Sequence, residues 1–122
     1  METTHNIKPG DIFHAQWGWE QTNNDFYMVA ELIGKTMCKL VKFVPAVKHS
    51  IPVGQMSEHT IFDFEKGGRC VGEAFKKKII THAKVYGEKI RIPTRIRISS
   101  FETAFLMNDD DKRKAIYSSW YA

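Results

Sequence analysis

The stretch KIRIPTRIRIS, Lys89 to Ser99, decides how this chain is read. Its even positions are Ile90, Ile92, Thr94, Ile96 and Ile98, and its odd positions Arg91, Pro93, Arg95 and Arg97. A period of two belongs to an extended strand, which puts the isoleucines on a core face and the three arginines on the other. Arginines two apart then stand roughly 6.6 Å from each other along the strand. Pro93 cannot donate to a ladder, so the segment is expected at a sheet edge or with a bulge at its middle.

Outward from this strand, the punctuation is that of a β protein. GDIFHAQ follows the breaker Pro9-Gly10. DFYMVAELI is joined to TMCKLVKFV by Gly34-Lys35, a two-residue connection suited to an antiparallel hairpin. Gly67-Gly68 and Gly87-Glu88 read as further tight turns. Pro45 and Pro52 mark residues 45–60 as an irregular loop or excursion. CVGEAFKKKIITHAKVY reads either as a strand from Phe75 or as containing a short helix. FETAFLM reads as a helical turn after Ser99-Ser100, Asp109 to Asp111 as a solvated turn, and AIYSSWYA as a last strand. The expectation is a mostly-β single domain over residues 1–122. It would be a small SH3-like barrel or curved antiparallel sheet with at most one or two short helices, and α+β is the alternative.

Composition agrees with a globular domain: 122 residues, 43% apolar and 26% charged. A chain of this length buries about two-thirds of its unfolded surface, enough for a core without staples. Apolar runs are too short to span a membrane, and METTHNIKPGD lacks a cationic start followed by an apolar stretch. No membrane and a cytoplasmic location, that of a host cell, are therefore expected. Cys38 and Cys70 form no CxxC and read as two reduced core thiols.

The net charge of +4 is unevenly spread. Residues 66–98 hold ten Lys and Arg against Glu73 and Glu88, whereas the remainder carries eight basic and twelve acidic residues. One third of the chain thus holds the positive field, and that points to a polyanionic partner. The Lys76-Lys77-Lys78 run alone would be an ordinary solvated face. The stripe Arg91, Arg95 and Arg97 says more, because like charges side by side on a sheet face repel unless something offsets them. Internal carboxylates can do so, as can an acidic protein surface or phosphate, whose geometry arginine matches bidentately.

WGWEQTNNDFY, Trp17 to Tyr27, concentrates aromatic and amide groups. Trp17 and Trp19 read first as a rigid corner plugging the end of a barrel, and second as a stacking platform beside the basic face. The five histidines have no metal-ligand spacing, and HExxH and GxSxG are absent. No catalytic residue, metal or cofactor is assigned; the dyads left open are His14 with Glu20 and His59 with Asp63.

GDIFHAQWGWEQTNNDFYMV followed by Gly34-Lys35-Thr36, then FKKKI, RIRISSFETAFL and the terminal YSSWYA, resembles a run found in small proteins of bacteriophages, prophages and plasmids. The resemblance covers most of the chain outside residues 45–65 and departs at LMNDDD, 106–111. It implies a mobile-element setting and a binding role rather than a reaction. KPGDIF also resembles the first strand of ribonuclease toxins from toxin–antitoxin pairs, which are small SH3-like barrels. The expected function is a non-enzymatic binding module. Its partner would be nucleic acid or a host nucleic-acid-handling complex such as a CRISPR effector, bound in counter-defence through Lys76, Lys77, Lys78, Arg91, Arg95 and Arg97, with Trp17 and Trp19 alongside. A small ribonuclease-toxin-like enzyme, using His14, His59 and Arg95, is the alternative.

Overall fold

Alternating apolar residues set the strands, and the turns between them impose antiparallel pairing. The computed structural model describes residues 6–18, 22–54 and 57–119, and everything below concerns those residues. In chain order the elements are β1 (Ile12–Trp17), β2 (Asn23–Ile33), β3 (Met37–Val44), β4 (Ala46–Gly54) and β5 (Ser57–Asp63). They continue with β6 (Arg69–Lys78), β7 (Ile80–Val85), β8 (Glu88–Arg97), β9 (Thr103–Leu106), α1 (Asp109–Arg113) and β10 (Ile116–Ser119). One antiparallel sheet has the order β6-β3-β2-β1-β9-β8-β7, and a second the order β10-β5-β4. The class is mostly β, as expected, and the sheets do not close into a barrel.

β6 ends at Lys78 and β7 begins at Ile80, so Ile79 alone carries the chain between the two edge strands of the larger sheet. The sheet must curl for its edges to adjoin at that corner, and β6 accordingly touches β8. Inside the curl Phe13, Ala15, Tyr27, Val29, Cys38, Leu40, Ile79, Ile96 and Ala104 pack as one buried cluster. On the outer face, the second sheet covers Ile12, Phe26 and Phe43, with Met107 and Ile116 completing that cluster. Phe26 meets Phe62 and Phe64 edge-on at 5.2 and 5.1 Å.

The deciding strand forms with its bulge. Partners step from Ile80↔Arg95 to His82↔Arg91, and Pro93 lies within the shift. It is not the edge strand, because β7 lies outside it. Ile96 is fully buried, whereas Ile90, beyond the bulge, is exposed. The β7–β8 turn is Tyr86-Gly87, one residue earlier than read, with φ of +51° and +82°. That mirror-image geometry matches the right-handed twist of the strands it joins. The β2–β3 turn takes three residues, 34–36, rather than two, with Ile33 opposite Met37.

Several expectations are corrected. The stretch read as an irregular loop over 45–60 is strand wherever it is described beyond Pro45: Ala46–Gly54 is β4 and 57–60 open β5, while 55 and 56 lie outside the described residues. Val47, Ile51 and Val53 favour extended backbone, and Pro52 is tolerated because β4 is an edge strand. The Gly67-Gly68 break joins the two sheets instead of closing a hairpin. CVGEAFKKKIITHAKVY is two strands with no helix, and Thr103–Leu106 is a strand rather than a helical turn. The helix forms at the acidic run, where Asn108 caps it and Asp111 completes a capping box. Cys38 is a core thiol, pushed up to about 11 by burial, but Cys70 is exposed. Cys70 pairs with Phe43, five residues along β3 from Cys38, roughly 16 Å at strand spacing and beyond disulfide reach.

A side chain at Gly68 would strike the Phe43 ring and approach the Val44 carbonyl oxygen at 3.1 Å. Phe43 is buried between the sheets and has little room to give. Gly68→Ala is therefore expected to destabilise by about 1–3 kcal/mol, read as a lowered urea midpoint with unchanged slope.

Candidate functional site

Cross-strand partners share a sheet face. The outer face of the larger sheet therefore carries a continuous row: Arg95 opposite Phe105, Phe105 opposite His14, and His14 opposite Phe26. One step along, Arg97 stands opposite Thr103. The Arg95 guanidinium lies over the Phe105 ring, 4.9 Å from its centroid, and its Nε donates to the Pro93 carbonyl oxygen at 3.1 Å. Arg97 donates to the Ser100 carbonyl oxygen at 3.1 Å. Among the described residues none of Arg91, Arg95 and Arg97 has a carboxylate within ion-pair distance. Lys84 stands directly opposite Lys89, adding unrelieved charge to the same hairpin.

The other residues read as a site from the sequence divide. Lys76 and Lys78 lie on β6, opposite Lys39 and Met37, while Lys77 pairs with buried Cys38 and takes the inner-face direction. Lys78 rejoins the hairpin at the corner made by Ile79, where it lines a hollow of about 210 Å³ with His82 and Lys89. Trp17 is apart from the arginines. Its Nε1 donates to Asp25 Oδ2 at 2.7 Å and its ring meets Phe101 edge-on at 5.4 Å. Trp19 lies outside the described residues.

Between the outer-face row and the β10–α1 segment runs a cleft of about 560 Å³, walled by His14, Gln16, Thr103, Phe105, Lys114 and Tyr117 among others. His14 stacks on Phe26 with ring centroids 4.8 Å apart. Burial lowers its pKa against the opposing effects of Asn24, Asp111 and Asp25. Its Nε2 lies 2.8 Å from Asn24 Oδ1. The Asn24 amide is oriented by its Nδ2, which donates to the Tyr117 carbonyl oxygen at 2.8 Å and to Ser118 Oγ at 2.7 Å. His14 therefore carries its proton on Nε2 and keeps an acceptor lone pair on Nδ1.

A second polar cluster, which the sequence reading missed, sits toward the inner face. Tyr27 Oη donates to Glu102 Oε1 at 2.8 Å, and Lys42 Nζ stands 3.3 Å from Asp25 Oδ1. Asp25 and Glu102 are themselves hydrogen-bonded. Burial raises Glu102, and Asp25 adds to the rise against the opposing effects of Tyr27 and Lys42. Burial also pushes Asp25 upward, but donation from Trp17 and Glu102 together with Lys42 outweighs it and holds Asp25 low. The two carboxyls are thus pushed apart, Glu102 upward and Asp25 downward, so that when the pair binds one proton Glu102 is the one to hold it. The period-two spacing of Trp17, Asp25 and Tyr27 could have shown that they share a face; Glu102 was hidden by the helical reading of FETAFLM.

His59 and Asp63 both lie on β5, four residues and about 13 Å apart, so they form no dyad. His59 instead meets Tyr117 edge-on at 5.6 Å. The His14–Glu20 pair cannot be described, because Glu20 lies outside the described residues. Among those residues no group of three or more His, Cys, Asp and Glu is placed to hold a metal, and no helix is long and apolar enough to cross a membrane. Compared with protein-family models, curated proteins and solved structures, the chain finds no match.

The carboxyl pair gives stability a two-sided pH dependence. The contribution of Asp25 is present above the ordinary carboxylate range and is lost as pH falls through its depressed pKa. That of Glu102 is present below the ordinary range and is lost as pH rises through its raised pKa. Glu102→Gln keeps both hydrogen bonds, so urea midpoints across pH should lose the alkaline-side decline. Glu102→Ala leaves Tyr27 and Asp25 short of a partner and should cost about 1–3 kcal/mol at neutral pH.

Proposed function

We propose that this protein is a binding module whose basic β8 face engages nucleic acid. The observation that carries the reading is the set of three arginines on one strand with no carboxylate partner among the described residues. A positive field left unrelieved inside the molecule is suited to relief by an external anion. Arginine suits phosphate in particular, through its planar fork of donors. Phe105, exposed beside Arg95, adds an aromatic surface of the kind that nucleic-acid binders use. Lys84, Lys89 and Lys78 extend the field around the corner of the sheet. In this reading the curled sheet serves as an SH3-like scaffold that holds β8 outward. The accompanying setting is a mobile-element accessory protein in a host cytoplasm, supported by the sequence resemblance alone.

The test is the salt dependence of binding to labelled DNA and RNA. Log affinity should fall linearly with log salt, with a slope of about −0.7 to −0.9 per phosphate contacted. Replacing Arg91, Arg95 and Arg97 together by Ala should weaken binding at every sequence and flatten the slope by about 2. Absence of any binding at low salt removes the reading. Retention of a host protein through nuclease treatment, with no affinity for nucleic acid, would move the target to an acidic protein surface.

A further inference from the structure

Resting on that reading, we infer that the cleft beside Phe105 receives an unstacked base from a single-stranded nucleic acid whose phosphates lie along Arg95 and Arg97. The cleft and the arginines are neighbours by strand register: two of its wall residues, Phe105 and Thr103, are the direct partners of Arg95 and Arg97. Its volume of about 560 Å³ lies within the roughly 300–1,000 Å³ of small-ligand sites.

The wall chemistry matches a heteroaromatic ring carrying an anion. Phe105 is 43% exposed and is fixed by the guanidinium over its ring, so a stacking surface is in place before any ligand arrives. Leu106, Met107 and Ile116 supply apolar wall. His14 presents Nδ1 as an acceptor, because its Nε2 proton is committed to Asn24, and such an acceptor suits an exocyclic amine or ring N–H. Arg95 and Arg97 stand just outside the cleft, as the strand partners of Phe105 and Thr103, while Lys114 lines it beside the carboxylate of Asp111. Lys114 is held only loosely, 4.0 Å from Asp111, and its own side chain is largely exposed, whereas Asp111 is half-buried and engaged in the Asn108 capping box. A base in a duplex is stacked above and below and paired at its edge, so it enters such a cleft only by leaving its stack and its pair.

The experiment measures fluorescence anisotropy at low salt for a single strand about ten nucleotides long. It is compared with the same strand carrying abasic sites, with its duplex, and with a mononucleotide. Wild-type protein should hold the intact strand roughly tenfold more tightly than the abasic strand, whose phosphates are unchanged, and more tightly than the duplex. Phe105→Ala should lose a similar factor on the intact strand and little on the abasic one, with the salt slope retained. Equal affinity for intact and abasic strands, or preference for the duplex, overturns the cleft inference; if arginine replacement still weakens binding, the broader reading of the basic face survives. A mononucleotide held as tightly as the strand also overturns it, in favour of a free-nucleotide site. Failure to bind any of the four overturns both readings. The abasic comparison uses unmodified protein, so it does not depend on how well a variant folds.

Discussion

Ile79 is the hinge of the architecture. A connection one residue long between the two outermost strands of a seven-stranded sheet leaves no flat solution, so the sheet curls until Lys78 and Ile80 are neighbours. Most of the rest follows from that bend. The concave side becomes dry and takes the fully buried Phe13, Leu40 and Ile96. The convex side is covered by the three-stranded sheet over only part of its extent. Cover is spent on Ile12, Phe26 and Phe43, and the row from Phe105 to Arg95 stays at the surface. The basic strand is accessible because of the same bend that builds the core.

The Trp17 segment belongs to the other side of this geometry. Its indole is fastened to Asp25 and leans on Phe101. Through Asp25 it joins Glu102, Tyr27 and Lys42. Four separate parts of the chain meet there: β1, β2, β3 and the segment leading into β9. A buried polar group of this kind costs stability unless each member is satisfied, and here the donors and acceptors match. The cluster therefore fixes which strands lie beside which, and Trp17 forms a corner of the fold within it.

How much of this the sequence disclosed depended on the length of the pattern. Lys89 to Ser99 alternates over enough residues to reveal strand and bulge together, and the Pro93 argument anticipated the register shift, but the core face it implied holds at Ile96 and fails at Ile90. Short segments misled. FETAFLM has an alternation of only four residues in its strand, fewer than a helical turn needs to be told apart from it. The prolines around residues 45–60 masked β4, an edge strand that needs no partner on one side. The acidic run concealed a helix because its stabilisation comes from the Asn108 cap rather than from an apolar face. The cleft was beyond reach in principle. His14, Thr103 and Tyr117 are brought together by sheet packing, and nothing in their spacing along the chain records it.

The far half of β8 has a distinct mechanical character. Along β8, β9 pairs only with Arg95 to Arg97, so beyond Pro93 the strand has a ladder with β7 alone, and the hairpin ends in the fully solvent-exposed Tyr86. A two-stranded ribbon is marginal without a packed face, and the bulge at its root breaks the ladder that would stiffen it. Arg95 and Arg97 are therefore anchored as a fixed platform, whereas Arg91 rides on a pliable finger. A long flexible ligand meeting the platform first would find a second contact able to close over it, at an entropic cost confined to a few residues.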